Sequence, residues 1–344
     1  MPLKPPIAPM DALLVEEIPT GQDWQYEPKW DGFRCLVFRD GKNVYLQSKS
    51  GQPLTRYFPE LVDAFLRLRA KRFVLDGEIA IPVSGKFSFD DLLQRIHPAA
   101  SRVRKLSLEH PALFIVFDLL AGPDGRPLLK TTLRERRELL ETFAREHFAE
   151  QKSLRLSPAT TNFAVAQNWF KQVGADLDGI VAKRVNCDYR SGERTGMEKV
   201  KLSRSADCVV GGFRYASNQK VVGSLLLGLY NDAGLLDHVG FCSGLKTDER
   251  RKLLAKLKPL LSPPGFTGHA PGGLSRWSTK RSMEWEPLKP KLVVEVSYDH
   301  FTGGRFRHGT RLIRWRPDKA PEQCTMDQVA STGQGSLALL KKAA

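Results

Sequence analysis

The sequence has no C-x-x-C pair, no apolar run of eighteen residues and no charged-then-apolar start. Its cysteines, Cys35, Cys187, Cys208, Cys242 and Cys324, are odd in number and irregularly spaced. That excludes a disulfide framework and a thiolate zinc site, and suits a reducing interior. The missing apolar run excludes a helical membrane span, and the start MPLKPPIAPM lacks the pattern of a secretory signal. The expectation is a soluble cytoplasmic protein with no membrane partner. Acidic residues are also in short supply: 38 Asp+Glu face 53 Lys+Arg, a formal charge of +15. The shortage is uneven, since residues 1–200 hold 30 basic against 26 acidic side chains and residues 201–344 hold 23 against 12. A nucleic acid gripped mainly by the C-terminal part suits this balance, as would an anionic membrane surface or simple solubility.

What is present is enough for two domains: 344 residues, 41% of them apolar. Runs rich in β-branched and aromatic residues predict strands at Gln25 to Pro28, Phe33 to Arg39, Val44 to Ser48, Phe73 to Ile81, Phe114 to Leu119 and Gly179 to Arg184. Helical periodicity predicts Pro59 to Leu68, Phe89 to Arg95, Leu133 to Phe148 and Thr161 to Val173. Near Lys201 the texture changes to strands at Cys208 to Arg214, Ser224 to Tyr230, Leu235 to Phe241, Leu292 to Tyr298 and Arg311 to Trp315, with one helix at Asp248 to Leu257. Five strands and one helix match a small closed barrel of the OB type. Residues 1–202 therefore form an α+β domain, 203–319 an all-β OB-fold domain, and 320–344 a partly mobile tail. Pro and Gly between Leu261 and Ser282 predict a long surface loop.

The segment Glu27-Pro28-Lys29-Trp30-Asp31-Gly32-Phe33-Arg34 sets a lysine between a short strand and an Asp-Gly turn. A lysine is nucleophilic only when neutral, and a free one keeps its proton up to about pH 10.4. Nearby cations and partial burial lower that, so Lys29 needs positive neighbours; Arg34, Lys199 and Lys201 are candidates. Such an amine can attack a nucleotide α-phosphate, expel pyrophosphate and leave a P–N bond reactive enough to pass the nucleotide on. Alone, the motif also describes an exposed lysine beside a turn. Leu75-Asp76-Gly77-Glu78-Ile79 and Asp178-Gly179-Ile180-Val181-Ala182-Lys183 each join a carboxylate, a glycine and an apolar strand. Glu78 and Asp178 could hold a divalent cation, grip ribose hydroxyls, or merely start strands. Lys199 and Lys201 share one face of an extended strand and suit adjacent phosphate oxygens. Phe117 offers a ring for base stacking or for core packing.

Together and in this order, these signatures resemble the covalent nucleotidyltransferase superfamily, and most closely the small two-domain bacterial ATP-dependent DNA ligases or the ligase module of bacterial end-joining enzymes. The likeness covers about residues 5 to 319. It implies an adenylation domain followed by the OB domain, with Lys29 as the adenylated nucleophile. Glu27 would line the nucleotide site, and Arg34 would contact ribose or the nick phosphate. In Ser48-Lys49-Ser50-Gly51, Lys49 stands where an arginine is common, keeping the charge and losing the bidentate fork. Glu78 would contact ribose and order the metal, Phe117 would stack on adenine, and Lys199 and Lys201 would hold the α-phosphate. Asp178 stands where a glutamate is usual and would face the metal; Met197 replaces an aromatic residue common before Lys199. In Arg311-Leu312-Ile313-Arg314-Trp315-Arg316-Pro317-Asp318-Lys319, the residues Arg314, Arg316 and Lys319 would orient departing pyrophosphate, with Asp318 assisting.

The resemblance implies ATP and Mg²⁺ (or Mn²⁺), and a three-step reaction: enzyme-AMP, then AMP on a 5′-phosphate, then attack by a 3′-hydroxyl. In-line placement and charge neutralisation carry the catalysis, without a strong general base. Implied partners are nicked or broken duplex DNA, with a repair polymerase or end-binding protein supplying ends, and a monomeric enzyme on the nucleoid. A hinge is expected at 201–206. An RNA ligase or a guanylyltransferase of the capping type would use the same lysine, and a non-enzymatic OB module would use none.

Overall fold

The computed structural model describes residues 3–172, 177–202, 204–217, 219–246, 248–272, 284–330 and 337–341. The chain divides into two units, residues 1–202 with 332–344, and residues 203–331. Among the described residues no helix is long and apolar enough to cross a membrane.

The first unit runs β1 (Trp24–Lys29), β2 (Phe33–Asp40), β3 (Asn43–Ser48), α1 (Pro59–Arg67), β4 (Arg72–Ala80), α2 (Phe89–Gln94), α3 (Ala100–Glu109), β5 (Leu113–Ala121), α4 (Leu133–His147), β6 (Leu154–Leu156), α5 (Phe163–Gln172), β7 (Gly179–Arg184) and β8 (Met197–Lys201). Five strands pair in the order β3-β2-β4-β5-β6, and a second sheet runs from the short strand Leu13–Leu14 through β8 and β7 to β1. Because β1 and β2 belong to different sheets, Trp30, Asp31 and Gly32 carry the chain from one to the other. Only glycine fits at the crossing: a Cβ on Gly32 would stand 2.2 Å from the Ile79 carbonyl oxygen.

Helices cover the five-stranded sheet through apolar stripes. In α1, Pro59 occupies the first turn, and Leu61, Ala64 and Phe65 are buried at helical spacing. The helix ends where buried Arg39 donates to the carbonyls of Phe65, Leu66 and Leu68. A capping box between Thr132 and Glu135 starts α4, which buries Leu133, Leu140 and Phe143. Each such Leu or Phe contributes about 1.5–3 kcal/mol when fully buried.

The second unit contains β9 (Arg204–Ala216), β10 (Gln219–Tyr230), β11 (Leu236–Cys242), α6 (Glu249–Leu257), β12 (Val293–Tyr298) and β13 (Arg311–Trp315). Strands pair in the order β11-β10-β9-β12-β13. A parallel bridge between Cys242 and Thr310 returns the path to β11, which closes the barrel. Its interior holds Val209, Phe213, Leu225, Leu227 and Val294, together with Leu257 of α6. This is an OB fold with its helix between the third and fourth strands.

Within the expected tail, the described residues form short elements in two places. Two 3-10 turns at Pro321–Gln323 and Met326–Val329 follow the barrel, with Cys324 buried between them. Gln328 exchanges two hydrogen bonds with the Asp207 backbone, donated by Asp207 N (3.0 Å) and by Gln328 Nε2 (3.2 Å). A short helix, α7 (Leu337–Lys341), then buries Leu340 in the first unit. The first anchor rests on the single residues Cys324 and Gln328, and the second on a run, Leu337 to Leu340, too short to announce a docked helix. The predicted helix end at Val173, part of the 261–282 loop and Ser203 within the expected hinge lie outside the described residues.

Candidate active site

Pairing register builds the site. β7 pairs with both β1 and β8, so Lys29, Gly179 and Lys201 stand in one cross-strand row and Glu27, Val181 and Lys199 in the next. Strand alternation turns these rows to one face. Gly179 lets the strands close, since its φ is +138° and a Cβ would lie 1.8 Å from the Val200 carbonyl oxygen. Asp178 precedes it. Its backbone N–H donates to the Lys29 carbonyl at 3.0 Å, and its carboxylate is ion-paired with the Lys29 ammonium through Oδ2. Lys201 Nζ stands 3.6 Å from Asp178 Oδ1.

The other sheet supplies the facing wall. Arg34 and Glu78 are cross-strand partners on β2 and β4. Between β4 and β5 the register slips so that Asp76 opposes Asp118 while Gly77 opposes Val116. Phe117 is thus the extra residue of a bulge, a device that re-aims a side chain, and its ring lines the cleft. The Arg34 guanidinium carbon lies 4.9 Å from that ring's centre and Lys183 Nζ 4.7 Å. Between the walls is a cleft of about 950 Å³ lined by Glu27, Lys29, Arg34, Lys49, Glu78, Phe117 and Lys199. A mononucleotide-sized ligand fits such a volume.

Hydrogen bonds and charges fix these side chains. Asp76, fully buried, accepts from Arg34 Nε (2.8 Å) and Nη2 (2.7 Å), and from the Tyr189 hydroxyl at 2.6 Å. Met10 completes this lock: its N–H donates to Tyr189 Oη at 3.0 Å and its carbonyl accepts from Arg34 at 3.1 Å. Burial would weaken the Arg34 charge, but Asp76 outweighs it and raises the pKa. Buried Glu27 accepts from Lys183 (2.8 Å) and Gln25 (2.7 Å). Exposed Lys49 pairs with Asp11 at 2.6 Å. Burial, reinforced by the ammonium groups of Lys29 and Lys49, lowers the Lys199 pKa. Burial also pushes Glu78 up to about 8, against the pull of Lys29 and Arg34.

Nine of the expected site residues therefore meet here: seven line the cleft, and Asp178 and Lys201 join through Lys29. Arg314, Arg316 and Lys319 belong to the second unit and are engaged there. Arg314 donates to Glu295 at 2.7 Å. Arg316 makes a two-pronged pair with Asp207 (2.8 and 2.9 Å) and also binds Asp318, while Lys319 reaches Asp207 at 2.8 Å. Sequence reasoning missed Asp76, Tyr189 and Lys183. An aspartate beside Glu78 on an apolar strand was a usable signal for the first, and Lys183 follows the Gly179, Val181 alternation; Tyr189 carried none.

A metal must be tested against this donor set. Among the described residues no cluster of three or more His, Cys, Asp and Glu could hold an ion. Mg²⁺ usually takes one or two carboxylates and completes its shell with water and substrate phosphates. Asp178 and Glu78, both near Lys29, are two carboxylates of the kind such an ion takes.

Comparison with known proteins agrees across both units. Residues 9–201 match the family described as ATP dependent DNA ligase domain, and residues 218–319 match the ATP dependent DNA ligase C terminal region. DNA ligase C2 of Mycolicibacterium smegmatis is 44% identical over 98% of each chain. DNA ligase C of Mycobacterium tuberculosis is 44% identical over 96% of this chain and 95% of its own. The solved structure of Pmar-Lig_PreS3 shares the fold at a TM-score of 0.62 and 18% identity, over 90% of this chain and 68% of that one. With one family spanning both units and relatives matched over nearly their whole length, the chain belongs to the ATP-dependent DNA ligases: it is an enzyme that uses ATP and acts on nicked DNA.

Proposed function

We propose that Lys29 forms a lysyl-AMP intermediate that is passed to a 5′-phosphate before the 3′-hydroxyl seals the break. The observation that carries this reading is the row Lys29–Gly179–Lys201 with Asp178 between the two ammonium groups. Asp178 holds the lysine nitrogen at the cleft until its carboxylate turns to another cation. Lys29 gives up a proton to solvent and, as the neutral amine, attacks the α-phosphorus; the Nζ–P bond forms, the bond to the pyrophosphate oxygen breaks, and the amine's second proton passes to solvent. Lys199 and Lys201 meet the phosphate charge; burial, with the neighbouring ammonium groups added, depresses the pKa of Lys199. Phe117 stacks on adenine, Glu27 lies at the base end, and Arg34 and Glu78 face the ribose. A Mg²⁺ held by Asp178 and Glu78 would neutralise phosphate charge. Arg314, Arg316 and Lys319 orient pyrophosphate, which requires Arg316 and Lys319 to exchange Asp207 for phosphate oxygens.

The substrates are nicked or broken duplex DNA, bound by a monomer. A role at broken ends is supported by a relative 33% identical over 87% of this chain and 37% of its own, the multifunctional non-homologous end joining protein LigD of Mycobacterium bovis; a repair polymerase or end-binding protein would supply such ends. Incubation with labelled ATP or GTP tests the chemistry: a covalent adduct from ATP, lost in Lys29→Ala and discharged by nicked DNA, is expected. An adduct from GTP alone, or one surviving in Lys29→Ala, would sink the proposal.

A further inference from the structure

The last helix, α7, lies beyond residue 319, where the family match ends. It nevertheless returns to the first unit, where Leu340 is buried in one apolar cluster with Trp30, Ala80, Ile115 and Leu177. The positions of these four residues are what give the cluster meaning. Trp30 adjoins Lys29, and Leu177 adjoins Asp178, the two partners of the site's ion pair. Ala80 lies two residues after Glu78 on β4, and Ile115 two residues before Phe117 on β5. The backbone segments that present Lys29, Asp178, Glu78 and Phe117 therefore all contribute to the same cluster. Phe117, Leu337 and Leu339 pack around its edge. Trp30 is held further by donation from Nε1 to Ser157 Oγ at 2.9 Å. Remove α7 and the apolar cluster adjoining these four site residues loses Leu340.

We propose that α7 is a positioning element of the nucleotide site, with Leu340 setting the spacing of Lys29 and Asp178 through Trp30 and Leu177. This rests on the lysyl-AMP reading. Attack needs the amine and the α-phosphorus in near-contact geometry, so small displacements of the strand ends cost rate rather than fold. Residues 337–341 then serve the first chemical step although they follow the barrel in sequence.

The test compares the full chain, Leu340→Asp, Leu340→Met and a chain ending at Ala330, each mixed with labelled ATP, with thermal unfolding followed alongside. Well below the unfolding temperature, Leu340→Asp and the shortened chain should form the adduct about tenfold more slowly or worse, and Leu340→Met within about twofold of the parent. A peptide of residues 332–344 added in excess should restore most of the shortened chain's rate. Adduct formation within about twofold of the parent in both impaired variants would overturn the inference. So would a deficit that the peptide leaves unmoved, or one that appears only with loss of the folded state. If the parent forms no adduct, the lysyl-AMP reading fails instead.

Discussion

Lys29 and Asp178, 149 residues apart, are joined twice, by a backbone hydrogen bond and by an ion pair. Lys201 approaches the same carboxylate, so one negative charge balances two ammonium groups. Asp178→Asn keeps the shape and removes that balance. Adduct formation should fall on the order of 10²-fold, about 2.7 kcal/mol in the transition state. Stability should drop by about 1–3 kcal/mol as a charged hydrogen bond is lost. Single-turnover labelling and chemical denaturation measure the two; an unchanged rate would remove Asp178 from the site.

Glu78 predicts a pH profile. With its pKa pushed up to about 8, it is protonated in the free enzyme at neutral pH. The folded state then keeps a proton that the unfolded chain releases near the ordinary glutamate value, so stability falls as pH rises from about 4.5 to 8. The rate at low ATP, which reports free-enzyme groups, should instead rise through about pH 8 if the carboxylate is the working form. Glu78→Gln should flatten both curves, which activity and denaturation profiles from pH 5 to 9 would reveal.

The Arg34 lock depends on Asp76 more than on Tyr189. Tyr189→Phe removes one hydrogen bond and should cost about 0.5–1.5 kcal/mol. Asp76→Asn strips a largely buried guanidinium of its counter-charge and should cost about 3–5 kcal/mol. A double-mutant cycle by urea unfolding should show coupling between the two sites; simple additivity would mean that Tyr189 does not act through Asp76.

In the second unit, Asp207→Asn deprives both Arg316 and Lys319 of a carboxylate. Side-chain exposures of 22% or less leave both pairs partly shielded, so a measurable loss of stability should persist in 1 M NaCl, where exposed pairs are screened. A deficit that vanishes with salt would show the cluster to be a surface contact.

Most strands were readable because Val, Leu, Ile and Phe recur at strand spacing, as in β10 and β12. The helix α3 was not, since it buries only Val103 and Ser107 and leaves no apolar stripe. Lys29, Lys199 and Lys201 were legible from short motifs on β1 and β8, which β7 joins into one sheet. The bulge at Phe117 exists only in the pairing of two strands. Likewise, the clamp of Asp207 on Arg316 spans 109 residues, and no local pattern announces it.

The return of α7 to the first unit has a consequence for synthesis. Residues 1–202 leave the ribosome first, yet one residue of their apolar base, Leu340, is made only after the entire barrel. Domains tend to fold in the order in which they emerge. A nascent chain therefore lacks Leu340 beside Trp30 and Leu177 until the barrel has been made, so this apolar cluster is completed after the barrel although the site lysine precedes it.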